Sequence, residues 1–306
     1  MKNLFGIKNL KKEEIEDILS LSFWYKNYKR TKGKTPPHIL LENKFVGTLF
    51  FENSTRTKTS FEIAAKRLGA HVINFNVDHS SLKKGETILD TAITLNEMDI
   101  DYLVIRSSKP NICQELSEKI NTIILNAGDG ANEHPTQALL DAMVIKHNLG
   151  TLQDIQVSIC GDVRNSRVAK SNLYLLNKMG ASVNFVCPPE LTPHPYELQG
   201  EKVNIYHSLK KGLEGSDVVM MLRIQFERMH QTIVKDVNNF HKEYGLTKKS
   251  LSYAKKNAII LHPGPMNRGI EISSEIADSD RCRVREQVKH GVFVRMACFD
   301  YFGQNN

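Results

Sequence analysis

Ser54, Thr55, Arg56, Thr57 and Lys58 place three small hydroxyls and two cations in five consecutive residues. An apolar run from Phe45 to Phe51 predicts a buried strand before them. Ile63, Ala64, Ala65 and Leu68, closed by Gly69, predict a helix after them. The polar residues therefore fall where a strand gives way to a helix N-terminus. There the first-turn N–H groups lack partners within the helix and the dipole favours an anion. Hydroxyls and a guanidinium add charge-assisted bonds, so the segment predicts a phosphate site. Ser54 alone would predict only an N-cap. Two threonines bracketing an arginine exceed what capping requires.

Other segments carry chemistry of the same kind. Gly128-Asp129-Gly130-Ala131-Asn132-Glu133-His134-Pro135-Thr136-Gln137 follows a strand-like run. Its glycines permit unusual backbone angles and Pro135 suits the first position of a helix. His134 and Gln137, three apart, can face one pocket, and an imidazole with an amide suits a carbonyl and an NH2 group. The other reading of His134 is a cap on its own helix. Tyr102-Leu103-Val104-Ile105-Arg106 ends a strand in an arginine, either a surface terminator or a fixed cation over a ligand. Ser80-Ser81-Leu82-Lys83-Lys84-Gly85-Glu86-Thr87 is polar and leads into a helix; spacing alone makes it a solvated loop. Gly161-Asp162-Val163-Arg164-Asn165-Ser166-Arg167 is again strand, turn, helix, without dinucleotide glycine spacing. Asp162 is placed to anchor that turn. Arg223 and Gln225 share one face of an extended segment. Leu261-His262-Pro263-Gly264-Pro265 ends a strand in a turn that offers mainly carbonyl oxygens. No histidine or cysteine set has metal spacing, and no nucleophile set or acid–base carboxylate pair stands out. Cations, hydroxyls and amides recur at strand ends, suiting a site that positions two anions.

Alternating elements must carry these residues. Helices are predicted at Lys11–Tyr28, Thr57–Leu68, Thr87–Glu97, Pro135–Asn148, Ser166–Met179 and Arg285–Phe302. Strands are predicted at Phe45–Phe51, Ala70–Asn76, Tyr102–Ile105, Thr122–Asn126, Ile155–Cys160, Ser182–Val186, Val218–Leu222 and Ala258–Leu261. The pattern predicts an α/β protein of two doubly wound domains, each a mainly parallel sheet flanked by helices. The domains are expected at 1–149 and 150–284, with the final helix, about 285–306, returning to the first. Thr31–His38 and Pro188–Pro195 read as exposed loops or linkers.

The chain of 306 residues, 41% apolar and 25% charged, fits a globular protein of two domains. Its apolar runs are strand-sized, which excludes a helical membrane span, and its start lacks a signal-peptide pattern. Five cysteines without a C-x-x-C pair fit reduced thiols and a cytoplasmic protein. The net charge of +7 is spread along the chain without a nucleic-acid signature, and fits anionic small substrates better than DNA or RNA.

Taken in order, F-F-E-N-S-T-R-T at Phe50–Thr57, K-K-G-E-T at Lys83–Thr87, H-P-T-Q at His134–Gln137, G-D-V-R-N-S-R at Gly161–Arg167, R-I-Q at Arg223–Gln225 and H-P-G-P at His262–Pro265 resemble the aspartate carbamoyltransferase family, catalytic chain. Ornithine carbamoyltransferases typically show H-P-C-Q and H-C-L-P at the corresponding places. The resemblance implies transfer of the carbamoyl group of carbamoyl phosphate to the amine of L-aspartate, an early step of pyrimidine biosynthesis, with no cofactor. By it Ser54, Thr55, Arg56 and Thr57 would cradle the phosphate, with Arg106 sharing it. Thr57, Arg106 and His134 would polarise the carbonyl. Gln137 and the turn Pro263-Gly264-Pro265 would orient the carbamoyl NH2. Arg167 would take the α-carboxylate of aspartate, and Arg223 with Gln225 its side-chain carboxylate. Ser80 and Lys84 would reach a neighbouring subunit's site. That implies a homotrimer with shared active sites, to which a regulatory chain could be added. Lys58 stands where many relatives carry arginine; if the position braces the site bidentately, lysine braces it less specifically.

Overall fold

The computed structural model describes residues 3–32, 40–75, 85–225 and 237–304, which fall into two compact units, 1–143 with 288–306, and 144–287. In the first unit the order is α1 (Lys12–Lys32), β1 (Phe45–Phe50), α2 (Thr55–Arg67), β2 (His71–Phe75), α3 (Ile88–Glu97), β3 (Tyr102–Ser107), α4 (Ile112–Ser117), β4 (Ile123–Asp129) and α5 (Pro135–Leu149), whose last turns belong to the second unit. The second continues with β5 (Gln156–Cys160), α6 (Arg167–Lys178), β6 (Ser182–Val186), β7 (Asn204–Tyr206), α7 (Leu209–Leu213), β8 (Val218–Met221), α8 (Val237–Tyr244), α9 (Lys248–Leu251), β9 (Ile259–Leu261) and α10 (Ser274–Ala277). Then α11 (Val284–Gln304) returns to the first unit.

Both sheets are wholly parallel. The first has strand order β2-β1-β3-β4 and the second β7-β6-β5-β8-β9. Parallel strands need a crossover each, so every strand of a sheet ends on the same edge. The strands run from the middle outward in two directions. The chain therefore diverges between β1 and β3 in one unit and between β5 and β8 in the other, where open α/β sheets bind ligands.

The central strands are apolar on both faces, as their burial requires. Leu103, Val104, Ile105, Ile124 and Leu125 are all fully buried. One face packs Leu49, Leu103 and Ile124 against Leu95 of α3 and Leu116 of α4. In α2, Thr57, Phe61, Ala64 and Ala65 form the buried stripe of a 3.6-residue period. Phe61 meets Phe299 of α11 edge to face, 6.0 Å between ring centroids. The final helix thus packs within the first unit. In the second unit Val219, Met221 and Ile260 pack against Leu213, Leu251 and Ile276.

The predicted long elements are present with their ends adjusted by a few residues. Thr87 and Ser166 sit outside their helices as N-caps, accepting from Asp90 N–H and Ala169 N–H. The edge strand β7 and the short helices α4, α7, α8, α9 and α10 lie in segments too brief to show a period. Pro188–Pro195 is not simply an exposed loop. It contains a 3₁₀ turn, Pro189–Leu191, with Leu191 fully buried. All five cysteines are free thiols, four of them buried, and burial pushes Cys187 up to about 11 and Cys298 up to about 12.

Gly161, immediately after β5, has φ +114°, and a Cβ there would lie 2.5 Å from the carbonyl oxygen of Leu222. Strain and clash therefore coincide. Gly161→Ala is expected to destabilise the protein by about 2 kcal/mol or more. A thermal midpoint equal to the parent's would show that the chain after β8 can move aside.

Candidate active site

In the first unit the divergence point is built by β1 and β3. Phe50 is paired in register with Arg106, and Phe51 N–H donates to the Arg106 carbonyl at 2.8 Å. The chain leaving β1 turns through Glu52 and Asn53 into α2. Ser54 is the N-cap of that helix, yet its side chain makes no capping hydrogen bond. The first turn of α2 contains no acidic residue, and its second residue is the exposed Arg56. A helix N-terminus disfavours a cation by roughly 0.3–1 kcal/mol, so Arg56 there works against the helix. Thr57, one residue on, is buried.

Arg106 is held from two sides. Its Nε lies 3.2 Å from a carboxylate oxygen of Glu52, and Nη1 donates to the Ala127 carbonyl at 3.2 Å. The guanidinium is thereby fixed over the ends of β1, β3 and β4.

His134 and Gln137 are buried at the start of α5. The preceding loop is held by carboxylates. Asp129 accepts N–H bonds from Asn111 and Glu133, both at 3.0 Å. Glu133 accepts from the N–H groups of Ile7 at 2.7 Å and Lys8 at 3.2 Å. Gly130 has φ +49°, and a Cβ there would approach the Ser108 carbonyl to 2.8 Å, so the tight turn needs glycine. Gln137 Nε2 donates to Asp141 at 2.9 Å.

The second unit repeats the plan. Arg167, buried, is the first residue of α6, whose first turn also lacks an acid. The Ser166 hydroxyl accepts from Ala169 N–H at 3.1 Å. Asp162, after β5, anchors the turn. It accepts from the Asn165 side chain at 2.9 Å and from Gln225 N–H, after β8, at 3.1 Å. Gln225 Nε2 donates to the Asn165 carbonyl at 3.0 Å, leaving one amide hydrogen for another acceptor. Arg223 lies two residues past the end of β8 and is partly buried. After β9, Gly264 N–H donates to His262 Nδ1 at 2.9 Å. That acceptor role puts the ring proton on Nε2, which donates to the fully buried Glu271 at 3.0 Å. Glu271 also accepts from Asn267 N–H at 2.6 Å. The Pro263-Gly264-Pro265 turn, with Gly264–Pro265 cis, is held by that pair.

Within the first unit, Ser54, Thr55, Arg56, Thr57, Arg106, His134 and Gln137 thus come from one edge of the sheet. Arg167, Arg223, Gln225 and Pro263–Pro265 do the same within the second. Ser80 and Lys84 lie outside the described residues. Sequence reasoning gave no role to Glu52, Asp129, Glu133, Asp141 or Glu271. Among the described residues no group of three or more His, Cys, Asp or Glu side chains is placed to hold a metal ion.

Residues 2–147 match the family described as aspartate/ornithine carbamoyltransferase, carbamoyl-P binding domain, and residues 153–302 match its Asp/Orn binding domain. The chain is 49% identical over 300 residues to the aspartate carbamoyltransferase catalytic subunit of Rhodospirillum centenum, covering 98% of this chain and 93% of that protein. Against the subunit of the same name from Gluconacetobacter diazotrophicus it is 50% identical over 299 residues, covering 98% and 92%. Among solved structures, aspartate transcarbamoylase from Trypanosoma cruzi in complex with N-(phosphonacetyl)-L-aspartic acid superposes with a TM-score of 0.87 at 31% identity, covering 97% of this chain and 94% of that one. Ornithine carbamoyltransferase from Pyrococcus furiosus gives 0.87 at 26% identity, covering 97% and 96%.

Glu133 ties the N-terminal segment to the loop that carries His134. Glu133→Ala leaves two N–H groups without their acceptor and is expected to lower stability by about 2–3 kcal/mol. The urea midpoint should fall with an unchanged slope. A midpoint equal to the parent's would show that the segment is held by its apolar contacts alone.

Proposed function

The chain belongs to the aspartate/ornithine carbamoyltransferase family, and we propose that it transfers the carbamoyl group of carbamoyl phosphate to L-aspartate. The products are N-carbamoyl-L-aspartate and phosphate, an early step of pyrimidine biosynthesis. The observation that carries the reading is a pair of arginines, Arg56 and Arg167. Each sits in the first turn of a helix at a sheet's divergence point, where a guanidinium and the first-turn N–H groups together suit an anion.

In this reading the region 1–149, with 285–306, binds carbamoyl phosphate and 150–284 binds aspartate. Ser54, Thr55, Arg56 and Thr57 take the phosphate at the N-terminus of α2, and Arg106 shares it. Thr57, Arg106 and His134 donate to the carbamoyl oxygen. Gln137 and the carbonyls of Pro263, Gly264 and Pro265 accept from the NH2 group. Arg167 takes the α-carboxylate of aspartate, and Arg223 with Gln225 the side-chain carboxylate. The neutral amine attacks the carbamoyl carbon, forming the C–N bond and an oxyanion. The C–O bond to phosphate then breaks and the amine proton passes to the departing phosphate. Donors aimed at the oxyanion contribute about 3–4 kcal/mol each. The assignment to aspartate rather than ornithine rests on Arg223 and Gln225, since a terminal ammonium would call for apolar or acidic neighbours.

The working form in this reading is a cytoplasmic homotrimer with shared active sites, in which Ser80 and Lys84 serve the neighbouring subunit. The relatives' name, catalytic subunit, is compatible with an added regulatory chain. Five free thiols fit a reducing compartment, and no helix among the described residues is long and apolar enough to cross a membrane.

Phosphate release from carbamoyl phosphate, measured with aspartate or ornithine in parallel, tests the assignment. Release with aspartate alone is expected; release with ornithine alone would overturn the roles of Arg223 and Gln225. Arg106→Ala should lower kcat at least a hundredfold with the fold intact, and an unchanged rate would remove Arg106 from the mechanism. For the shared site, inactive Lys84→Ala and Arg106→Ala chains refolded together should regain activity. A mixture no more active than its components would exclude sharing.

A further inference from the structure

The carboxylate that meets Gln137, Asp141, lies outside the H-P-T-Q run. Asp141 lies one helical turn after Gln137 on α5, fully buried, and accepts from Gln137 Nε2 at 2.9 Å. Close by, Arg295 of α11 is also buried. Its Nη1 donates to the Gly291 carbonyl at 3.0 Å, and its guanidinium carbon lies 4.9 Å from the centre of the Phe61 ring. Burial pushes Arg295 down to about 10, while Asp141 and Cys298 oppose that shift. Arg295 is therefore a cation at neutral pH.

An ionised carboxylate can only accept hydrogen bonds, so it can be met by the NH2 of an amide and not by its oxygen. Two atoms of nearly equal shape are thereby told apart. With Nε2 committed to Asp141, Oε1 is the end of the Gln137 amide turned away from it. An NH2 group on a ligand needs an acceptor, and a methyl group gains nothing from one. We propose that Asp141 is a positioning residue that fixes the orientation of the Gln137 amide and so lets the site distinguish a carbamoyl group from an acetyl group. A cation nearby favours the ionised, accepting form of a carboxylate. The inference rests on the reading of Gln137 as the partner of the carbamoyl NH2.

Asp141→Asn keeps the shape and gives Gln137 a neighbour that can donate, so either amide orientation can be met. The test is the ratio of dissociation constants, acetyl phosphate over carbamoyl phosphate, measured without aspartate on the full chain. Asp141→Asn should lower this ratio about tenfold, the worth of one hydrogen bond, chiefly by weakening carbamoyl phosphate. General damage would weaken both ligands alike and leave the ratio unchanged, which would overturn the proposal. Gln137→Ala separates the premise from the inference. A collapsed ratio in Gln137→Ala with the parent ratio in Asp141→Asn would leave Gln137 in its role and overturn that of Asp141. The parent ratio in both would overturn the role of Gln137 itself, and the inference with it. Should Arg295 without its counter-charge prevent folding, the double variant Asp141→Asn/Arg295→Met removes both charges and must show the same loss of ratio.

Discussion

A site for an anionic substrate must hold its cations in place before any ligand arrives. Two unit charges about 6 Å apart repel by about 3 kcal/mol at an effective dielectric of about 20, and helix N-termini add positive partial charge. Arg106 is kept in place by Glu52 and the Ala127 carbonyl. Asp162 ties the chain on both sides of the second divergence point, next to Arg167 and Arg223 in sequence. Arg56 and Arg167 begin helices where the dipole opposes them. Resident carboxylates make such an arrangement tolerable in the empty protein.

Parallel pairing turns that electrostatic requirement into geometry. A cation at the end of β3 lies beside the start of α2 because Phe50 and Arg106 are paired in register. The fully buried strands around them make that register hard to shift, since a slip by one residue would disrupt close packing on both faces at once. Backbone groups then finish what the side chains begin. Gly161 lets the chain pass close to the Leu222 carbonyl, and the N–H of Gly264 finds His262.

The cations were legible in the sequence because each lies within a few residues of a break between strand-like and helix-like periodicity. Arg106 at the end of an apolar run and Arg167 after Gly161-Asp162 are local patterns. The acids that organise them are not. Glu133 meets the N–H groups of Ile7 and Lys8, more than a hundred residues away in sequence. Glu271 meets His262 across a turn. A lone Asp or Glu reads as surface charge until the fold buries it, and no local period marks it. Asp141 is the sharpest case, since it occupies an otherwise apolar stretch of α5 and gains meaning only when burial turns it toward Gln137. The same reasoning explains β7 and the short helices, which are too brief for a period and exist because their neighbours offer an edge or a cap.

The choice of acceptor amine lies at a finer level than the fold. A protein named for ornithine and one named for aspartate superpose on this chain equally well, with TM-scores of 0.87 for each. Sheet order, divergence points and the start of α2 therefore cannot decide between the two amines. What can decide is the sign of the charge beyond β8, because a carboxylate and an ammonium make opposite demands on one place. Arg223, and Gln225 with an amide hydrogen not used by Asn165, present donors there. An ammonium at that place would face the Arg223 cation, and like charges brought together repel. Aspartate would satisfy the same groups. On the proposed reading the acceptor is selected as much by exclusion of a cation as by attraction of an anion, on a scaffold that favours neither.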